Sequence, residues 1–130
     1  LNLHELQIKL ANRLSKCGKP VILVLNIGRP RLISEIEPFM SAIVNIYLPG
    51  NLGGIALADV LSGKVNPSGK LPYTYPAYPN SLSTYFYKPS EVQNNAQGAY
   101  NYVGELNNLY EFGYGISYTN YEYKNFKLFH

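Results

Sequence analysis

The sequence contains few of the residues that build disulfide frameworks or membrane spans. Its 130 residues include one cysteine, Cys17, which excludes an internal disulfide and a cysteine-based metal knuckle. We expect Cys17 to be a half-buried residue at the end of a helix. The longest apolar run, at residues 21–25, is strand-sized and far shorter than the roughly 18 residues that a membrane span needs. A membrane is therefore not an expected partner.

Charge and histidine are equally sparse. Charged residues make up 15% of the chain, and the net charge of +3 is scattered without a Lys/Arg cluster, so nucleic acid is not an expected partner either. The two histidines, His4 and His130, stand at opposite ends of the chain, which excludes a Ser–His–Asp triad and a zinc cluster. We expect no metal and no other cofactor.

Carboxylates arranged for catalysis are also missing. Glycoside hydrolysis needs two carboxyl groups roughly 5–10 Å apart across the scissile bond. The nearest pair in the sequence is Glu35 and Glu37, but Ser34 and Glu37 have the spacing of a helix capping box, and Glu35 is expected in solvent. The single aspartate, Asp59, is expected to make a surface or interdomain contact. No catalytic residue is predicted in this chain.

What the chain does contain is one apolar half and one tyrosine-rich half. Hydrophobic residues make up 46% of the sequence, which excludes a disordered chain and fits one domain. There are 13 tyrosines, and all but Tyr47 lie at or after Tyr73. The chain opens without an initiator methionine or a recognisable signal peptide, so we expect an excised or processed piece.

The apolar half reads as alternating helices and strands. Leucines spaced three and four apart predict a helix with one apolar stripe, ended by Gly18. Residues 21–25 and 42–48 predict parallel strands, with a short helix beginning at Ser34 between them, and residues 55–61 predict a third helix closed by Gly63. The fold class is therefore α/β. The stripe consists of Leu3, Leu6, Leu10 and Leu14.

Two parallel strands cannot form a complete sheet of this class. Each predicted strand has two apolar faces, and open sheets usually have about five or six strands. The sequence therefore predicts an incomplete parallel-sheet α/β sandwich whose remaining strands lie on another stretch of polypeptide.

The tyrosine-rich half is predicted to be extended. Residues 71–76 are bounded by prolines and suit a sheet edge or a surface crossing. Residues 77–111 have no sustained period and are expected to wrap over another domain. Residues 112–115 predict a tight aromatic–glycine turn, and the stretch 118–126 suggests the beginning of a strand.

The loops after the two strands are the expected place for a ligand. Ligands of parallel α/β sheets collect beyond the carboxyl ends of the strands, where loops 26–30 and 49–54 both begin. Arg29 and Asn51 are therefore the binding candidates. The alternative for Arg29 is an ion pair with a carboxylate elsewhere that holds the loop. Loop 49–54 could also present backbone N–H groups to an anion, or simply be a tight strand-to-helix turn.

Five short blocks occur in order along nearly the whole chain and together resemble glycoside hydrolase family 3, in particular its β-glucosidases. The resemblance implies a multidomain enzyme with a (β/α)8-type barrel, an α/β sandwich and often a fibronectin-type-III-like domain. It implies domains at 1–76 (C-terminal half of the sandwich), 77–119 (connector) and 120–130 (start of the third domain). The blocks are GKPVILVLNIGRP (18–30), LPGNLGG (48–54), ADVLSG (58–63), NPSGKLP (66–72) and FGYGISYT (112–119).

The resemblance also implies a retaining mechanism that acts on terminal β-D-glucosyl residues. The family's aspartate nucleophile and glutamate acid/base match no position here, so the chain's own role would be to complete the domain that carries the acid/base loop. Implied partners are the barrel, the N-terminal half of the sandwich and a β-linked gluco-oligosaccharide. A homodimer and a periplasmic or secreted location are further family expectations.

Two other functions fit the sequence. One is a carbohydrate-binding module that uses its tyrosines as a stacking surface. The other is a structural interaction domain without any sugar dependence. For the enzyme hypothesis, the sequence does not distinguish a β-glucosidase from a β-xylosidase, because the sugar-contacting barrel residues are absent.

Overall fold

The computed structural model describes residues 1–81, 85–86 and 108–129. Its centre is a two-stranded parallel sheet of β1 (Ile22–Leu25) and β2 (Ala42–Asn45), with Ile22 opposite Ala42 and Leu25 opposite Asn45. Helix α1 (Glu5–Leu14) precedes β1, and helix α2 (Gly53–Leu61) follows β2. The predicted α/β class and the partial parallel sheet are confirmed.

Helix α1 begins and ends for local reasons, but its apolar stripe does not face the core. The side chain of His4 accepts from the backbone of Leu6 and Gln7 reaches back to His4, which gives a capping box that the sequence did not suggest to us. Ile8 and Ala11 pack against the core. Of the predicted stripe, Leu3 packs against the core, whereas Leu6 and Leu10 are 67% and 58% exposed and Leu14 is exposed as well.

The end of α1 also differs from expectation at Cys17. A 3-10 helix, Ser15–Cys17, continues the chain to Gly18, whose φ of 68° gives the left-handed ending that was predicted. Cys17 is exposed, not half-buried as expected. Its thiol donates to the carbonyl of Arg13.

The crossover between the strands contradicts the predicted capping box. Residues 34–36 form a turn, and a 3-10 helix, Glu37–Phe39, replaces the short α-helix. Ser34 does not cap it: the Ser34 hydroxyl donates to the carbonyl of Ala77, and the Glu37 carboxylate accepts from Tyr110. Both side chains are hydrogen-bonded to residues far along the chain.

Strand β2 is shorter than the predicted 42–48. The side-chain oxygen of Asn45 accepts from the backbone N–H of Tyr47, and Tyr47 has a φ of 51°, in the left-handed region that ends a strand. The side chain of Asn45 therefore helps to end the strand.

The core is small for the length of the chain. Among the described residues, the buried hydrophobic ones are Leu25, Ile33, Ile36 and Tyr75. The segment that carries Ile33 also pairs with the amino terminus, where Leu32 forms a parallel bridge with Asn2. The core thus lies between β1, the crossover and one tyrosine of the second half.

The second half contains an antiparallel pair of its own, β3 (Tyr75–Pro76) and β4 (Asn108–Tyr110). Within the stretch 71–76 that was predicted to be extended, residues 72–73 form a bend and Tyr75–Pro76 form a strand. Strand β4 falls where a loop was predicted, because its partner strand is remote in sequence. Most of the predicted loop 77–111 lies outside the described residues.

The remainder of this half follows the predicted turn and then has no strand. Gly113 has a φ of 80° and the N–H of Tyr114 donates to the carbonyl of Glu111, which forms the turn at residues 112–115. Residues 120–129 contain no strand and are exposed, so the strand predicted there does not form within the part of the chain that the structure describes. Over the same described ranges, no helix is long and apolar enough to cross a membrane.

Candidate site at the carboxyl edge of the sheet

The two loops that leave the parallel strands lie against each other. Loop 26–30 follows β1 and loop 46–52 follows β2, at the same edge of the sheet. Gly28 in the first loop packs on the second, because a Cβ atom at Gly28 would lie 3.4 Å from Cδ1 of Leu48. The two loops leave the sheet at the same edge, as predicted, and they also touch.

Arg29 and Asn51 stand on these loops, one on each, and both are exposed. Among residues 1–81, 85–86 and 108–129, no carboxylate pairs with the guanidinium of Arg29. Their side chains are thus presented to solvent on neighbouring loops. A guanidinium and an amide can both donate hydrogen bonds to hydroxyl groups.

The loop that carries Asn51 is a tight strand-to-helix turn, one of its two predicted interpretations. The N–H of Gly53 donates to the carbonyl of Gly50, which has a φ of 68°. A Cβ atom on Gly53 would lie 2.5 Å from Cβ of Pro49, so the turn closes only with glycine there. This close approach accounts for the glycine at position 53, and no bound anion is needed to explain it.

Tyr75 fixes the end of the first loop from inside the core. Its hydroxyl donates to the carbonyl of Arg31 at 2.7 Å and accepts from the backbone N–H of Arg31 at 3.4 Å. The side chain is 2% exposed. Burial raises the pKa of Tyr75, so the hydroxyl keeps the proton that it donates.

Tyr73 makes a corresponding contact at the end of β2, directly before the second loop. The amide nitrogen of Asn45 donates to the Tyr73 hydroxyl at 3.3 Å, and the other amide atom of Asn45 holds the backbone of Tyr47. Burial, followed by the nearby Tyr47, raises the pKa of Tyr73 well above its ordinary value. Both hydroxyls are therefore neutral partners at neutral pH.

A third tyrosine binds the crossover instead of the loops. The Tyr110 hydroxyl donates to the carboxylate of Glu37 at 2.8 Å. Burial first, and then the neighbouring Glu37 carboxylate, raises the pKa of Tyr110. The rings of the tyrosine cluster touch in series, with centroids 4.8–6.4 Å apart along Tyr47, Tyr73, Tyr75, Tyr110 and Tyr114.

Glu35 and Glu37, the carboxylates that stand closest in the sequence, have different surroundings in the structure. Glu35 is exposed, as expected, and Glu37 is engaged by Tyr110. Asp59 lies in α2 and binds the Lys64 ammonium at 3.0 Å, which makes it the surface contact that was predicted. Within the described ranges no group of three metal-ligating side chains exists.

Sequence reasoning missed the roles of Tyr73 and Tyr75. A signal was present, because residues two apart in an extended segment point to the same side. Tyrosines at that spacing between two prolines could have been assigned to one surface. Their partners, Arg31 and Asn45, could not have been identified from spacing.

Comparison with known proteins agrees with the fold. Residues 1–118 match the glycosyl hydrolase family 3 C-terminal domain. A lysosomal β-glucosidase of Dictyostelium discoideum is 36% identical over 96% of this chain and 14% of its own length. A β-xylosidase of Formosa agariphila is 34% identical over 98% of this chain and 18% of its own. The crystal structure of a Listeria innocua β-glucosidase in complex with isofagomine matches with a TM-score of 0.77 and 32% identity.

These relatives are much longer than the chain described here. The match with the Listeria structure includes 93% of this chain but 18% of the Listeria chain. The chain spans 14% and 18% of the length of the two sequence relatives. The small core, the partial sheet and the exposed stripe of α1 agree with a part of a larger fold. The match over 118 residues leads to one conclusion: the chain belongs to glycoside hydrolase family 3, as a portion that matches its C-terminal domain.

Proposed function

We propose that this chain is part of a retaining β-glycosidase that hydrolyses terminal β-D-glucosyl residues of oligosaccharides. The observation that carries the proposal is the family match over residues 1–118, together with a relative named β-glucosidase at 36% identity. The chain contributes no catalytic carboxylate. Nucleophile and acid/base are supplied by the rest of the enzyme, which includes the barrel and the N-terminal half of the sandwich.

The chain's own contribution in this proposal is structural. Its sheet has two parallel strands, and the leucines of α1 face solvent, so further polypeptide is needed to cover them. Burying a leucine side chain is worth about 1.5–3 kcal/mol. Docking of this half therefore stabilises the loops that the sandwich holds toward the substrate.

Arg29 and Asn51 are the residues through which this chain would touch the sugar. They are exposed on adjacent loops at the carboxyl edge, the place where ligands of parallel sheets bind. Their role is hydrogen bonding to sugar hydroxyls and not proton transfer. Loss of such a bond weakens ground state and transition state alike, and so raises KM more than it lowers kcat.

The test uses the full-length enzyme and the 130-residue chain side by side. The full-length enzyme is expected to cleave 4-nitrophenyl β-D-glucoside and to be inhibited by isofagomine, with which the Listeria relative was crystallised. The 130-residue chain is expected to show no turnover. Turnover by this chain that is abolished by Glu35→Gln or Glu37→Gln would refute the proposal.

The same assay shows whether the enzyme prefers a glucoside or a xyloside. A 4-nitrophenyl β-D-xyloside is the competing substrate, because a relative named β-xylosidase matches with 34% identity. A higher kcat/KM on the xyloside would replace glucosyl by xylosyl in the proposal and keep the rest. Arg29→Ala and Asn51→Ala are expected to raise KM about threefold to tenfold, whereas the control Arg13→Ala, on exposed helix α1, leaves KM unchanged.

Location and assembly follow the same reasoning. Relatives are named lysosomal and periplasmic β-glucosidase, which supports a periplasmic or secreted enzyme. The proposed domain limits are 1–76 for the sandwich, 77–119 for the connector and 120–130 for the start of a third domain. A homodimer stays a prediction, to be checked by native mass spectrometry of the full-length enzyme.

A further inference from the structure

We propose that Tyr73 and Tyr75 are positioning residues that hold the two carboxyl-edge loops, and with them Arg29 and Asn51, in the arrangement that binds the sugar. This rests on the proposed function, because it assigns a role within the same site. The two tyrosines stand in the tyrosine-rich half and reach back across to the parallel sheet.

Tyr75 acts on the first loop through the backbone. A single hydroxyl engages both the carbonyl and the N–H of Arg31, two residues after Arg29, from a position 44 residues further along the chain. Because the ring is 2% exposed and part of the core, the oxygen has one fixed location. The loop is thereby held to the core at its far end, while β1 holds its near end.

Tyr73 acts on the second loop through Asn45. The Asn45 amide is held between the Tyr73 hydroxyl and the backbone N–H of Tyr47, at the point where the chain takes its left-handed turn. The direction in which the chain leaves β2 toward Asn51 is set at this turn. Without the tyrosine hydroxyl, the amide of Asn45 is free to rotate away from Tyr47.

The two contacts belong to one unit. The rings of Tyr73 and Tyr75 lie 6.0 Å apart, centre to centre, in the same short extended segment. Tyr75 bonds to Arg31, directly after the first loop, and Tyr73 bonds to Asn45, directly before the second. The loops themselves touch at Gly28 and Leu48. The segment thus sets the separation of the loops, which no strand of the sheet does by itself.

Tyr110 provides a matched control. It is a partly buried tyrosine of the same cluster with a hydroxyl bond of similar length, but its partner, Glu37, lies in the crossover and in neither loop. A phenylalanine at any of the three positions keeps the ring and removes only the hydroxyl. The three variants therefore separate loop positioning from general stability.

The experiment measures steady-state kinetics of the full-length enzyme on an aryl β-glucoside. Tyr73→Phe and Tyr75→Phe are expected to raise KM about threefold to tenfold with a smaller change in kcat, and Tyr110→Phe is expected to change neither. In a double-mutant cycle, Tyr75→Phe should have little further effect on KM in the Arg29→Ala background. Full additivity of the two changes would overturn the proposal.

Hydrogen exchange of the same proteins gives a second readout that does not depend on turnover. Tyr75→Phe should speed exchange in residues 26–31 and Tyr73→Phe in residues 45–52, whereas Tyr110→Phe should do neither. Unchanged exchange in both loops refutes the proposal, and so does faster exchange with an unchanged KM. If the enzyme cleaves no aryl β-glycoside while the exchange pattern is as expected, the proposed function fails and the loop contacts stand.

Discussion

The two halves of this chain are held in place by different kinds of interaction. Residues 1–63 carry helices and parallel strands whose apolar side chains are left partly in solvent, including Leu6 of α1 and Ile55 of α2. In the second half, the described residues 64–81, 85–86 and 108–129 have little regular structure, yet tyrosine hydroxyls among them make specific bonds to the first half. The exposed apolar side chains of the first half need further polypeptide to cover them, whereas tyrosines of the second half already bond to the first half.

The largest expected effect is in the shared core. Ile33 is 1% exposed, so Ile33→Ala in the full-length enzyme should cost about 2–5 kcal/mol and lower the thermal midpoint by several degrees. If the rest of the enzyme covers α1, Leu10→Ala should approach the same cost although Leu10 is exposed in this chain. Lys9→Ala, beside it on the helix, is the control and should change little. A negligible effect of Leu10→Ala would show that its face remains in solvent.

A neighbouring pair of glycines tests the turn into α2. A Cβ at Gly53 would lie 2.5 Å from Pro49, whereas one at Gly54 would meet nothing within 4 Å. Gly53→Ala should therefore cost about 1–3 kcal/mol by overpacking, as measured by thermal unfolding. Gly54→Ala should instead stabilise α2 by about 0.5–1 kcal/mol. Equal effects of the two variants would contradict the close approach.

The bonds that attach residues 118–119 to Asn66 should cost less than the core when they are lost. Asn66 donates to the Thr119 hydroxyl at 2.9 Å and accepts from the N–H of Tyr118 at 2.8 Å. Asn66→Ala should cost about 1–2 kcal/mol and speed proteolysis near residues 117–120. Asn66→Asp keeps the acceptor and should recover part of the loss. No change in either variant would show that this contact contributes nothing to the attachment.

The smallest effect is expected from Tyr110, and it depends on pH. Tyr110→Phe should cost about 1 kcal/mol at pH 7. Because the pKa of Tyr110 is raised in the fold, its contribution is complete below the ordinary tyrosine pKa of about 10 and declines as the pH rises above it. The difference in thermal midpoint between wild type and variant should therefore shrink from pH 9 to pH 11. A difference that grows over this range would reverse the sign of the linkage.

The sequence predicted what short-range patterns decide and missed what distant partners decide. Strand β1 was predicted because an unbroken apolar run has few alternatives, and the meeting of the two loops follows from parallel topology alone. Ser34 and Glu37 have the spacing of a capping box, but Ala77 and Tyr110 compete for them from 43 and 73 residues away. The stripe of α1 was located correctly, but the pattern cannot say whether its cover belongs to the same stretch of chain.

The contact between Asn66 and residues 118–119 has a mechanical consequence. Tyr118 also donates its hydroxyl to the carbonyl of Val60, in the last turn of α2. Residues 120–129 extend into solvent beyond this point, so a pull on them is carried by Asn66 and the end of α2. The strands and the two loops lie outside that path. A domain attached to residues 120–129 can therefore move, or bear a mechanical force, without displacing Arg29 and Asn51.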